Sequence, residues 1–206
     1  IRDSGTPVAN RAAPTGSPRE YDGVIGMFVN TLALRTAVAP TQAVADLLAA
    51  TRDADLAALD HRATPFDDVV TALNPERESG RHPLFQIALS VHDHASGIDG
   101  NSIPMDGDLW LSAAEIDSTT AKFDLQFTVT GIHDEAAKPA VSLTYDTDRY
   151  RHEDAELLIT RLLRVVRAML RDPGSAVGDV RITDPLEVAA LAPATGPEPG
   201  LSLIHI

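Results

Sequence analysis

Seven histidines, no cysteine and a scatter of serines set the chemistry open to this 206-residue chain. The densest cluster of candidate groups is His92-Asp93-His94-Ala95-Ser96-Gly97-Ile98-Asp99-Gly100. His92, His94 and Asp99 could in principle give three ligands to zinc, both histidines lying on one side of an extended segment. The glycines and aspartates around them favour a solvated turn instead. Without cysteine there is no thiolate nucleophile, no zinc–thiolate centre and no disulfide framework, so any thiol chemistry must arrive on a partner. No Gly-x-Ser-x-Gly elbow is present, and Ser79, Ser90 and Ser96 have no base at a suggestive spacing. The glycines are too scattered for a phosphate-binding loop.

Three other stretches place polar groups where a reason is needed. Gly23 to Arg35 opens with two glycines and then alternates, with Phe28, Asn30, Leu32 and Leu34 on one face and Val29, Thr31, Ala33 and Arg35 on the other. Asn30 is the polar break in the apolar face. A carboxamide there costs about 1–3 kcal/mol unless its oxygen and both donors find partners, so it either staples two segments together or faces a ligand. His61-Arg62-Ala63-Thr64-Pro65-Phe66-Asp67 reads as a helix start, with Thr64 as N-cap, Pro65 at the first helical position and Asp67 in the first turn. Arg77 and Arg81 lie four residues apart in a loop. They are either solvated, paired to carboxylates, or directed at an oxyanion that suits the guanidinium fork.

These three stretches, in this order and at this spacing, resemble core motifs of the condensation domains of nonribosomal peptide synthetases. Ile25 to Arg35 agrees with the first motif throughout, Gly26, Phe28, Asn30, Thr31 and Arg35 included. The second, a histidine or asparagine followed by Gln-Asp, an apolar residue and Pro-Phe-Glu, is matched at His61, Pro65, Phe66 and the acidic Asp67, while Arg62, Ala63 and Thr64 depart from it. The third, Arg-Asp-x-Ser-Arg-Asn-Pro-Leu, is matched at Arg77, Arg81, Pro83 and Leu84, with Gly80 and His82 replacing Ser and Asn.

The resemblance implies an α/β fold: a mixed β-sheet covered by helices, as in the C-terminal lobe of a chloramphenicol-acetyltransferase-like domain. It implies that residues 1–191 are the C-terminal portion of a condensation domain whose N-terminal lobe is missing, and that 192–206 are a linker and a disordered or artefactual tail. The family joins an acyl or peptidyl thioester to the amine of an aminoacyl thioester, both carried as phosphopantetheine thioesters on peptidyl carrier proteins, with an adenylation domain adjacent. No cofactor is expected on the domain itself. Asn30 is expected to face the substrate tunnel, and Arg77 and Arg81 to contact a carrier protein or the other lobe. The family's His-His-x-x-x-Asp-Gly motif is absent from these residues, so no catalytic residue is assigned and the chain alone is expected to be inactive. The cluster at His92 imitates that motif but separates its histidines and puts Asp99 one residue too far, a displacement of about 3.3 Å that also reverses the side chain. An epimerising or ester-forming relative, or a non-catalytic docking module, is the alternative.

The elements that must position these residues follow from patterning. A strand through about Val38, a helix from Thr41 to Asp60, the helix after Pro65, strands at Leu84–Val91, Leu109–Ile116, Lys122–Thr130 and Pro139–Tyr145, and helices at His152–Arg171 and Pro185–Leu191 are expected. The last two strands should form a hairpin. On the strand from Leu84, Phe85, Ile87, Leu89 and Val91 share the apolar face. A hydrophobic content of 44% supports a core, and a net charge of −13 argues against a nucleic-acid or anionic-membrane partner. No apolar run nears the roughly 20 residues that span a bilayer, and a cytoplasmic protein is expected.

Overall fold

Alternating apolar and β-branched residues build five strands into one mixed sheet, in the order β2-β1-β3-β6-β7. These are β1 (Arg2–Ala9), β2 (Val29–Thr36), β3 (Ile87–His92), β6 (Leu125–Thr130) and β7 (Ala140–Tyr145), and β4 (Ile103–Pro104) and β5 (Trp110–Leu111) pair separately. The helices are α1 (Val44–Asp60), α2 (Phe66–Leu73), α3 (His152–Arg171) and α4 (Pro185–Leu191). The computed structural model describes residues 2–10, 24–76, 79–92, 103–104, 107–111, 120–132 and 138–191. β1 is antiparallel to β2 and parallel to β3, β3 is parallel to β6, and β6 and β7 form the expected hairpin, in register from Leu125 and Tyr145 to Thr130 and Ala140.

β1 was not legible in the patterning. Asp3, Ser4, Gly5 and Pro7 are poor strand formers, yet the strand lies between β2 and β3. Gly5 is required there: a Cβ on it would lie 1.9 Å from the Phe85 ring. β1 meets β3 only at Gly5 and Ala88, and Pro7 has no N–H with which to extend that ladder.

Other boundaries shift for physical reasons. β2 begins at Val29, since Val24 to Phe28 run as irregular chain around a bend at Gly26. α1 begins at Val44, and Thr41 does not cap it. The turn after α3 supplies the partners instead: Val44 N–H donates to Ser175 O at 3.0 Å and Ala45 N–H to Pro173 O at 2.8 Å. Of the strand expected over Leu109–Ile116 only Trp110–Leu111 is seen, and 112–119 lie outside the described residues.

The core contains Leu32, Val44, Val70, Phe85, Ala88, Leu125 and Ala155. β3 differs from expectation. Ala88 and Ser90 are its buried residues, whereas Ile87, Leu89 and Val91 are 42%, 39% and 51% exposed. In register beside them stand Leu125, Phe127 and Val129 of β6, then Tyr145, Leu143 and Val141 of β7, so these aliphatics belong to one apolar face. α3 packs at the β7 edge, where Leu143 and Tyr145 line a cavity with Ala155 and Ile159, and α1 packs at the β2 edge. Among the described residues the middle of that face, at β3, stays open.

Candidate functional site: a junction of three motifs

The three motif stretches converge. From β2, the Asn30 side-chain amide donates to Arg62 O at 2.8 Å and Thr64 O at 2.7 Å, and its Oδ1 accepts the Phe66 N–H at 3.2 Å. Arg62 and Thr64 lie in the link between α1 and α2, and Phe66 opens α2, whose N-terminal amide groups would otherwise lack partners. Thr64 was expected to cap this helix. The N-cap position is taken by Pro65, with no local side-chain cap, so Asn30 does that work across the fold. Of the two readings left open by the sequence, the staple is the arrangement observed.

Phe66 carries the contact on to the third motif. Its ring lies 5.1 Å from His82 and edge-on to Phe85 at 6.0 Å, while His82 stacks on Phe85 at 4.0 Å and Phe123 completes the cluster, 5.2 Å from His82 and 5.5 Å from Phe85. Phe85 is 1% exposed and stands over Gly5. Burial depresses the pKa of His82, and its Nδ1 is buried without a hydrogen-bond partner among the described residues. The imidazole, packed between rings, acts here as an aromatic spacer.

Beside it, Arg81 pairs with Asp124 at 3.2 Å, and Arg149 joins the same carboxylate at 3.5 Å and Asp146 at 3.1 Å. Asp124 is 8% exposed and has both guanidinium groups as partners. Sequence reasoning missed Asp124 and Arg149. The signal was present: a carboxylate between Phe123 and Leu125, at the mouth of an otherwise alternating strand.

The remaining motif residues are structural or peripheral. Arg35 forms a two-pronged pair with Asp3, Nε to Oδ1 at 2.7 Å and Nη2 to Oδ2 at 2.9 Å, which ties β2 to β1 and holds the Asp3 carboxyl below its usual range. Gly26 sits at an exposed bend where a Cβ would meet the Phe28 ring at 3.3 Å. Thr31 is half-buried on β2, and Pro83 and Leu84 are half-buried on the approach to Phe85. His61 is exposed at the C-cap of α1. Arg77, His94 and Asp99 lie outside the described residues, and His92 is exposed at the end of β3. Among the described residues no three or more His, Cys, Asp or Glu gather as a metal site, and no helix is long and apolar enough to cross a membrane.

The mixed sheet with helices at its flanks, and a junction that fixes backbone, define an α/β scaffold. The sequence matches the condensation-domain family profile over residues 4–192, and the chain belongs to that family. It is 33% identical over 190 residues to the isonitrile lipopeptide synthase of Mycobacterium tuberculosis, covering 91% of this chain and 7% of that protein. It is 32% identical over 186 residues to surfactin synthase subunit 1 of Bacillus subtilis, covering 90% of this chain and 5% of that protein. The chain thus spans a small fraction of these curated relatives.

The fold is shared with a holo four-domain nonribosomal peptide synthetase bound to AMP and glycine, at a TM-score of 0.75 and 21% identity, covering 91% of this chain and 14% of that one. It is shared also with the X-domain from teicoplanin biosynthesis, at a TM-score of 0.71 and 22% identity, covering 88% of this chain and 39% of that one.

Proposed function

We propose that this chain is the C-terminal portion of a condensation domain that forms an amide bond between a carrier-bound acyl or peptidyl thioester and a carrier-bound aminoacyl thioester. In that role it supplies tunnel wall and acceptor-side scaffold. The histidine motif would reside in an N-terminal lobe, and the substrates would arrive on phosphopantetheine arms of peptidyl carrier proteins beside an adenylation domain. The observation that carries the reading is the open apolar face at β3, where Ile87, Leu89 and Val91 lie exposed between helices packed at the two sheet edges. Such a face calls for further polypeptide. Asn30 would act at one remove from the substrate, by fixing the 62–66 segment. Arg81, held by Asp124, would shape the lobe surface, and Arg77 remains a candidate carrier contact.

Assaying the 206-residue chain with loaded carrier proteins tests this. No amide is expected, and robust product would overturn the division of labour. In a complete synthetase carrying the upstream histidine motif, Asn30→Ala should lower amide formation; unchanged turnover with intact folding would count against the role given to Asn30. A second reading, a non-catalytic docking module, draws support from a fold relative at 21% identity and a TM-score of 0.67, solved as a complex of the X-domain and OxyB from teicoplanin biosynthesis. Carrier or enzyme binding without turnover by the complete domain would favour it. An epimerising or ester-forming variant would be recognised by its product.

A further inference from the structure

A groove of about 630 Å³ runs along α3 and is closed on its other side by the chain from Ser175 to Pro185. It involves none of the junction residues. Four arginines line it, Arg164, Arg167 and Arg171 from α3 and Arg181 from the facing wall, with hydroxyls from Thr160, Ser175 and Thr183.

The four have different duties. Arg164 is a strut: it reaches Asp184 at 3.2 Å, Glu187 at 3.3 Å and the Ile182 carbonyl at 2.6 Å, fixing the wall to the helix. That wall is itself locked, Asp184 accepting the Glu187 N–H at 2.8 Å and Glu187 the Asp184 N–H at 2.9 Å. Arg167, Arg171 and Arg181 form no ion pair with any described residue, although Asp172 and Asp179 also line the groove. Asp172 is directed elsewhere and accepts the Gly174 N–H at 3.2 Å.

A chain with 30 acidic and 17 basic residues can readily pair its arginines. Three unpaired guanidinium groups along one groove are therefore informative. We propose that this groove binds an extended acidic polypeptide segment, whose carboxylates take the guanidinium forks of Arg167, Arg171 and Arg181. Spread argues against a small anion: Arg167 and Arg171 stand one turn, about 6 Å, apart on α3, and Arg181 stands on the facing wall. A nucleic acid fits poorly because so long a polyanion runs on beyond the groove over a strongly acidic surface, whereas a short acidic segment meets the groove alone.

Fluorescence anisotropy with a fluorescein-labelled hexaglutamate peptide and the full 206-residue chain tests the proposal. Saturable binding is expected at low salt, weakened by added salt as the Debye length shrinks. The R167A/R171A/R181A variant should bind about tenfold or more weakly, whereas R167K/R171K/R181K, which keeps the charge but loses the forks, should recover only part of the affinity. R52A, on exposed α1 surface, should match the unaltered chain. Absence of binding at low salt, equal binding by the triple alanine variant with an unchanged melting profile, displacement by equimolar inorganic phosphate, or tighter binding of a single-stranded oligonucleotide of equal charge would each overturn it.

Discussion

Two regions of the same sheet treat polarity in opposite ways. At the β2 edge a carboxamide is drawn inward and every hydrogen-bonding group it offers is engaged, while at β3 three large aliphatic side chains stand in solvent. Burying Asn30 without partners would cost about 1–3 kcal/mol, and exposing a Leu or Ile forfeits about 1.5–3 kcal/mol of available burial. The first region has everything it needs within the described chain. The second has no covering element among the described residues. The motifs of this family therefore lie in the self-sufficient part of the fold, and the exposed aliphatics of β3 lie outside it.

The most damaging way to break the contrast is to empty the self-sufficient region. Phe85→Ala should cost about 3–5 kcal/mol, since its ring is buried under β1 and holds His82, Phe66 and Phe123, and urea denaturation measures it. Asn30→Ala should cost about 2 kcal/mol by the same measurement, leaving two carbonyls and the Phe66 N–H without their partner. Asn30→Asp keeps the acceptor for Phe66 but loses both donors, so it should remain clearly destabilising.

Titration sharpens the comparison. Burial lowers the pKa of His82 below its ordinary 6.5, so the folded state favours the neutral ring. Its contribution is fully present above the unfolded-state value and is lost as pH falls through 6.5 toward the folded value. His82→Asn should flatten stability in this window, and an unchanged slope across pH 6.5 would contradict the buried neutral ring. Asp55, half-buried on α1, has its pKa raised by desolvation, so Asp55→Asn should raise the melting temperature slightly at pH 7, with the gain shrinking as acid protonates the native carboxyl. Smallest in stability is Leu89→Thr with Val91→Thr on the open face. Folding should change little, while binding of a hydrophobic dye or self-association falls.

Much of this arrangement was legible from residue types and spacing. The hairpin of β6 and β7, the α3 span from His152 to Arg171 and the significance of Asn30 all followed from periodicity or from one polar residue out of place. β1 was hidden because its sequence violates strand propensity for a tertiary reason, the Phe85 ring over Gly5. The N-termini of α1 and α2 were misread because their partners are carbonyls and a carboxamide distant in sequence. The exposure of Ile87, Leu89 and Val91 was beyond alternation to foresee: period two says which residues share a face, and the packing of helices decides whether it is covered.

The central claim is that the three motifs act as one packed unit joined through Asn30 and Phe66. A double-mutant cycle by urea denaturation, combining Asn30→Ala with Phe66→Leu, tests it most directly. The two changes should be coupled by about 1 kcal/mol, within the range for residues sharing one network. Additivity to within about 0.3 kcal/mol would mean that the motifs are merely neighbours.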